Sequence, residues 1–219
     1  MSTQAELARE NMVENQIRTW EVLDQAVLDA MQDVPREDFV PEGYRQLAYA
    51  DTEIPLGGGE VMMAPKLEAR MMQALQLDPR DSVLEIGTGS GYVTAVLARL
   101  ARHVASIEVR EDLCERARAR LSERAISNVT VDCGDGLQGR PKGAPYDAIA
   151  VTGSVYEVPQ ALLTQLRIGG RLFAIVGEAP AMEALLITRT GPDQWSTESL
   201  FETVLAPLKG AEKPSEFSL

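Results

Sequence analysis

The chain has 219 residues, 45% of them apolar and 25% charged, which is the size and make-up of one large globular domain or at most two small ones. Its longest apolar runs, such as 172–176, fall far short of the roughly 20 residues that a membrane-spanning helix needs. The net charge is −12, and residues 1–60 alone hold 4 basic and 13 acidic side chains. A field of that sign repels phosphate backbones and anionic lipid heads, so neither nucleic acid nor a membrane surface is expected as a partner.

Residues 1–6 have neither the basic region nor the apolar stretch of a secretory signal, and a cytoplasmic setting is expected. Cys114 and Cys133 are too few and too far apart for a disulfide framework, and neither has a neighbour at metal-ligand spacing. No metal site is predicted. The single histidine, His103, stands before the apolar run 104–107 and reads as a satisfied residue at a strand start. Any chemistry must therefore manage without a histidine cluster, and the reading of His103 leaves it no part as a base.

In chain order, residues 3–17 form the first predicted helix. Thr3 and Glu6 make a capping-box pair, and Ala5, Ala8, Met12 and Ile17 recur at roughly helical spacing. A second helix is expected near 22–32, stopped by Pro35. Residues 35–65 are loop-rich, with Pro35, Pro41, Pro55 and Pro65 and the run Gly57-Gly58-Gly59. Loops of that length are uncommon unless functional. A helix restarts at Pro65, where proline is tolerated in a first turn, and runs to about Leu77.

From residue 81 strands and helices alternate. Strands are expected at 82–86, 104–109, 129–133, 146–152 and 171–176, with helices at 91–101, 111–124 and 157–166. Two last strands at 183–190 and 195–205 have no helix between them and should pair antiparallel at one edge. Alternation of this kind builds a parallel sheet with right-handed crossovers and helices on both faces. The division predicted is 1–78 for the N-terminal helices and active-site loop packed on the core, 79–210 for the α/β core, and a C-terminal tail 211–219; residues 209–219, with Lys209, Lys213 and Pro214, are expected to be exposed, and Phe217 is a candidate to dock.

Ligands of open parallel sheets sit beyond the carboxyl ends of the strands. The first core strand ends in Leu84-Glu85-Ile86 and passes into Gly87-Thr88-Gly89-Ser90-Gly91, which opens a helix. Side chains at such a bend would block close backbone approach. The spacing Gly-x-Gly-x-Gly differs from the Gly-x-Gly-x-x-Gly of pyrophosphate binders, which favours a ligand with a ribose and no pyrophosphate. Glu108 lies 21 residues after Gly87, near the end of the second strand, where a carboxylate can accept both ribose hydroxyls. Gly134-Asp135-Gly136 follows the third strand, where a base would lie. Taken singly, these are also what a tight turn, a solvated acid and a simple loop look like.

The segment Val83–Tyr92, followed by Thr94–Ala98, resembles motif I of class I S-adenosylmethionine-dependent methyltransferases. More narrowly, the chain resembles protein-L-isoaspartate O-methyltransferases, through Val34–Val40, Ala48–Asp51, Ile54–Gly57, Gly134–Gly136, Tyr146–Ile149, Val151-Thr152 and a closing strand at Ala206-Pro207-Leu208. The resemblance implies a Rossmann-like class I methyltransferase fold, an α/β seven-stranded, mostly parallel sheet with an N-terminal helical and loop extension. It implies S-adenosylmethionine as cofactor. Glu85 and the Gly87, Thr88, Gly89 and Gly91 loop would hold its methionine part, Glu108 its ribose, and Asp135 with Gly136 its adenine. Glu60, Val61, Met62 and Met63 would form the loop over the reactive methyl. The implied acceptor is a protein or peptide carboxylate, that of an isoaspartyl residue in an ageing protein. One departure stands out: where the family has a Thr-Ile-Ser-Gln-Pro-like stretch, this chain reads Val61-Met62-Met63-Ala64-Pro65, so Met63 takes the serine's position. A relative with a changed acceptor and a non-catalytic cofactor-binding module are the alternatives this departure raises.

Overall fold

A computed structural model describes residues 3–211. The N-terminal segment holds α1 (Gln4–Asn11), α2 (Gln25–Asp33), the strands β1 (Ile54–Gly57) and β2 (Glu60–Met62), and α3 (Pro65–Leu75). The core follows as β3 (Ser82–Ile86), α4 (Tyr92–Leu100), β4 (His103–Glu108), α5 (Glu111–Glu123), β5 (Val129–Cys133), β6 (Tyr146–Val155), α6 (Gln160–Thr164), β7 (Leu166–Glu178), β8 (Ala181–Gly191) and β9 (Gln194–Thr203).

The capping box of α1 is present: Glu6 N–H donates to Thr3 Oγ1 at 3.2 Å and Thr3 N–H to Glu6 Oε2 at 2.5 Å. The predicted helix 3–17 is not uniform, however. After α1 the chain widens into a π-helical turn, Met12–Ile17, and buries Met12, Val13 and Ile17. Met12 and Ile17 are five residues apart and would point well away from each other in α geometry; widening turns both inward. The second helix begins at Gln25 because Asp24 caps it, its Oδ1 accepting from Ala26 N–H at 2.9 Å. The loop-rich stretch 35–65 contains two short 3₁₀ turns, Arg36–Asp38 and Glu42–Leu47, and the antiparallel β1–β2 hairpin.

The main sheet has the order β5-β4-β3-β6-β7-β8-β9. Strands β5, β4, β3, β6 and β7 run parallel, and β8 is antiparallel to both β7 and β9. The expected edge hairpin is therefore present. Alternate residues of the central strands serve two cores. Val83 and Val104 pack with residues of α2, α3, α4 and α5 on one face, while Leu84, Ile86, Ala105 and Ile107 join Leu162 of α6 on the other. From β3 the chain runs outward to β4 and β5 on one side and then returns to β6 and β7 on the other, so the connections diverge between β3 and β6 and open a crevice at their carboxyl ends.

Several expectations need correction. The helix predicted at 157–166 shrinks to five residues, because Pro159 precedes it and Leu166 already pairs with Tyr146 as the start of β7. Ala206-Pro207-Leu208 is no strand but a single bridge, Ser154 to Pro207, since proline has no N–H to extend a ladder. Cys114 and Cys133, nineteen residues apart, are joined by a disulfide. The α5–β5 connection folds the chain back on itself and brings their Cα atoms to 5.7 Å. Lys209 is exposed as expected; Lys213, Pro214 and Phe217 lie outside the described residues.

Candidate active site

The loop between β3 and α4 is shaped by glycines with distinct roles. Gly87 has φ +96°, and a Cβ there would lie 2.5 Å from Thr152 Oγ1 and 3.1 Å from Leu208 Cδ2. Gly91, at φ +85°, begins α4, and a Cβ there would come within 3.3 Å of the Ala117 methyl on α5. The first glycine thus brings the backbone close to β6 and the last packs helix on helix. Thr152 Oγ1 lies 2.9 Å from the Ile86 carbonyl oxygen and 2.5 Å from that of Gly87, and donates to this pair.

Glu108 ends β4, 5% exposed, and its carboxylate ties two backbone turns together. Oε2 accepts from Gly89 N–H at 2.8 Å and Oε1 from Arg110 N–H at 3.0 Å. A carboxylate has about four lone-pair sites, so acceptor capacity remains for a ligand. Gly134 N–H donates to the Glu108 carbonyl at 2.8 Å and draws the 134–136 turn alongside. Asp135 is exposed, its Oδ1 accepting from Leu137 N–H at 2.9 Å. Gly136 is buried, and a Cβ there would stand 2.8 Å from Ile86 Cγ2.

These pieces enclose one cleft. Its walls include Gly87, Gly89, Glu108, Asp135 and Gly136, together with Glu60 and Val61 from β2. A smaller cavity adjoins it beneath the hairpin, lined by Val61, Met62, Met63, Thr88 and Glu68. Gly87, Gly89 and Val61 border both. Two predicted residues do not reach either wall. Gly91 acts through packing, and Glu85 lies buried below the loop, where Thr94 Oγ1 donates to its Oε2 at 2.5 Å. His103 sits at the opposite end of β4, 3.1 Å from Thr130 Oγ1.

The ground beneath the loop is charged and dry. Burial pushes the Glu85 carboxyl up to about 8; the Ser106 and Thr94 hydroxyls pull it down, and the charges of Glu108 and Glu68 add to the rise. Arg36 and Glu68, both fully buried, form an ion pair. Burial raises Glu68 to about 7 against the opposing pull of Arg36. Arg36 Nη2 also donates to the Met63 carbonyl at 2.6 Å, and its guanidinium carbon lies 4.7 Å from the Tyr92 ring centre. The 60–63 loop is therefore pinned from below by a buried cation.

The sequence reading missed this pair, although a signal was available. Glu68, Met71, Met72 and Leu75 follow the i, i+3, i+4, i+7 pattern of a buried helical stripe, and an acid on such a stripe needs a cation. It also missed the Leu205–Lys209 segment, which lines the cleft beside Thr152 and Gly153. Ser154 holds that segment, its N–H donating to the Ala206 carbonyl at 2.9 Å and its Oγ to the Leu205 carbonyl at 2.8 Å.

Comparison with known proteins bears on the fold and the family. The chain is 46% identical over 208 residues to protein-L-isoaspartate O-methyltransferase 2 of Pelobacter propionicus, covering 94% of this chain and 92% of that protein. A solved protein-L-isoaspartate O-methyltransferase superposes with a TM-score of 0.83 at 32% identity, covering 93% of this chain and 66% of that one. A Plasmodium falciparum protein assigned to the same enzyme class, solved in complex with S-adenosyl-L-homocysteine, shares the fold with a TM-score of 0.77 at 22% identity, over 91% and 97% of the two chains. The model of the protein-L-isoaspartate(D-aspartate) O-methyltransferase family matches residues 7–213, and the chain belongs to that family.

Proposed function

We propose that the protein transfers a methyl group from S-adenosylmethionine to the carboxylate of isoaspartyl residues in damaged proteins. The observation that carries this reading is the adjacency of two compartments: a cleft lined by glycines, Glu108 and Asp135 shares Gly87, Gly89 and Val61 with a smaller cavity lined by Val61, Met62 and Met63. The residues present fit the cofactor. Gly87 and Gly136 keep backbone where a side chain would overlap Thr152 or Ile86, Glu108 has unused acceptor sites, and Ile86, Ile107, Leu113 and Leu137 make an apolar wall suited to a flat base.

When bound, the cofactor supplies a methyl group on a positively charged sulfur. Glu108 would hold the ribose hydroxyls, and Asp135 with the Gly136 amide would meet the base edge. Glu85 acts from below the glycine loop rather than as part of its surface. The apolar side chains of Val61, Met62 and Met63 exclude water from the reactive end, while Arg36 fixes the Met63 carbonyl. The acceptor carboxylate is ionised at neutral pH, with a reference pKa of about 4, and needs no base to attack. Alignment in a dry pocket is then the main contribution of the protein. A methionine at position 63 serves this role, because the position is buried and its anchor is the main chain. Family membership, with high identity across nearly the whole chain, argues against a changed acceptor or a non-catalytic module. A cytoplasmic setting belongs to the same proposal, the acceptors being ageing proteins of the cell.

The test is transfer of labelled methyl to an isoaspartyl peptide and to its aspartyl counterpart. Labelling of the first alone is expected; equal labelling, or none, overturns the assignment.

A further inference from the structure

We propose that Arg110 is a positioning residue that straps the 54–62 hairpin over the cofactor cleft and so sets how long cofactor and product stay bound. The inference rests on the cofactor reading above and adds a residue that touches neither compartment.

Arg110 acts on both sides of the cleft at once. Its backbone N–H donates to Glu108 Oε1 at 3.0 Å, on the ribose side. Its side chain crosses to the hairpin, where Nη1 donates to the Gly57 carbonyl. The guanidinium is aimed by Asp112, whose Oδ1 accepts from Nε at 3.0 Å and whose Oδ2 accepts from Nη2 at 2.9 Å. Asp112 is held in turn by Arg116, Nη2 to Oδ2 at 2.5 Å. A two-pronged grip of this kind fixes the direction of the third donor.

The hairpin needs such an anchor. Its tip is Gly57-Gly58-Gly59, with φ values of +94°, +66° and +91°, a backbone that no side chain stiffens. Gly58 lies so close to Arg110 that a Cβ on it would overlap the guanidinium. Behind the tip, Leu56, Glu60 and Val61 face the cleft, and Leu56 Cδ1 would be 3.3 Å from a Cβ on Gly89. The hairpin is therefore the roof of the glycine loop. A ligand beneath it leaves only when the roof lifts, and lifting breaks the bond from Arg110 to Gly57.

The experiment compares the full-length parent with Arg110→Ala, Arg110→Lys and Asp112→Asn. Binding of S-adenosylmethionine is measured by calorimetry, and release of S-adenosylhomocysteine, the demethylated product, by stopped-flow displacement. Loss of one charge-assisted hydrogen bond should speed release by about five- to twentyfold in Arg110→Ala. KM for the cofactor should rise by a similar factor without a fall in kcat, a split that general loosening of the fold would not produce. Arg110→Lys should recover part of the effect, and Asp112→Asn should speed release by about two- to fivefold, which keeps the idea testable if Arg110→Ala folds poorly. Release from Arg110→Ala and Asp112→Asn at the parent's rate overturns the strap. A parent that binds neither compound overturns the cofactor reading instead.

Discussion

Replacing Glu85 with glutamine separates a buried acid's proton from its shape. Glu85 is fully enclosed beneath the glycine loop, and its carboxyl is pushed from the ordinary 4.5 up to about 8, chiefly by burial. Between those two values the folded protein holds a proton that the unfolded chain releases. The stabilising contribution of that proton is complete below about pH 4.5 and is lost as pH rises toward 8. Glutamine keeps the outline and cannot titrate. The stability of the parent relative to Glu85→Gln should therefore fall by up to about 1.4 kcal/mol per pH unit. Across two units that is about 3 kcal/mol, enough to move a urea midpoint by about 1 M or more. The other charged groups nearby, Glu108, Glu68 and Arg36, are common to both proteins and largely cancel in the comparison. Urea unfolding of both at pH 5.5, 6.5 and 7.5 measures the gap. A gap that stays constant with pH would refute the reasoning, because it would mean that Glu85 is ionised inside the fold.

Three further outcomes are expected. Glu108→Ala removes the acceptor for two backbone amides and a carboxylate that lines the cleft, so calorimetry should show S-adenosylmethionine affinity falling at least about tenfold, at one charge-assisted hydrogen bond lost. Gly87→Ala places a methyl 2.5 Å from Thr152 Oγ1 at a φ of +96°, and should lower stability by about 1–3 kcal/mol; adding Thr152→Ala should restore part of the melting temperature and leave the backbone strain. Arg36→Leu leaves Glu68 buried without its cation and should cost about 3–5 kcal/mol, whereas the double change with Glu68→Leu should recover most of it, as thermal unfolding of the three proteins would show.

The start of the α/β core was legible because β3, β4 and β5 are short runs ended by glycine or a charged turn, whereas β6 and β7 extend to ten and thirteen residues. Residues 82–86 and 129–133 have the bounds that the sequence indicates. The place of the glycine loop and Glu108 on the cleft was legible for a related reason: it depends on backbone shape and on position at a strand end, both local properties. What could not be read locally was pairing at a distance. The Arg36–Glu68 bond spans 32 residues, and the Leu205–Lys209 wall depends on Ser154, some 51 residues upstream. The π-helical turn was hidden because apolar spacing alone does not report a widened helix. Glu85, expected with the glycine loop around the methionine part of the cofactor, lies buried beneath that loop and lines neither compartment. Strand alternation sends it, like Val83, toward the helical face, and away from the cleft.

The sulfur bridge between residues 114 and 133 bears on how the molecule opens. Among the described residues β5 is the outermost strand on its side of the sheet, with only β4 beside it, and such margins are the first part of a sheet to peel. Cys133 closes that strand two residues before Asp135, and Cys114 is a buried residue in the first turn of α5. A welded corner cannot peel alone: if the margin detaches, the 134–136 turn travels with the helix and keeps its local shape. Amide exchange at 134–136 should then follow the slow rhythm of α5 instead of the faster one of a loose selvedge.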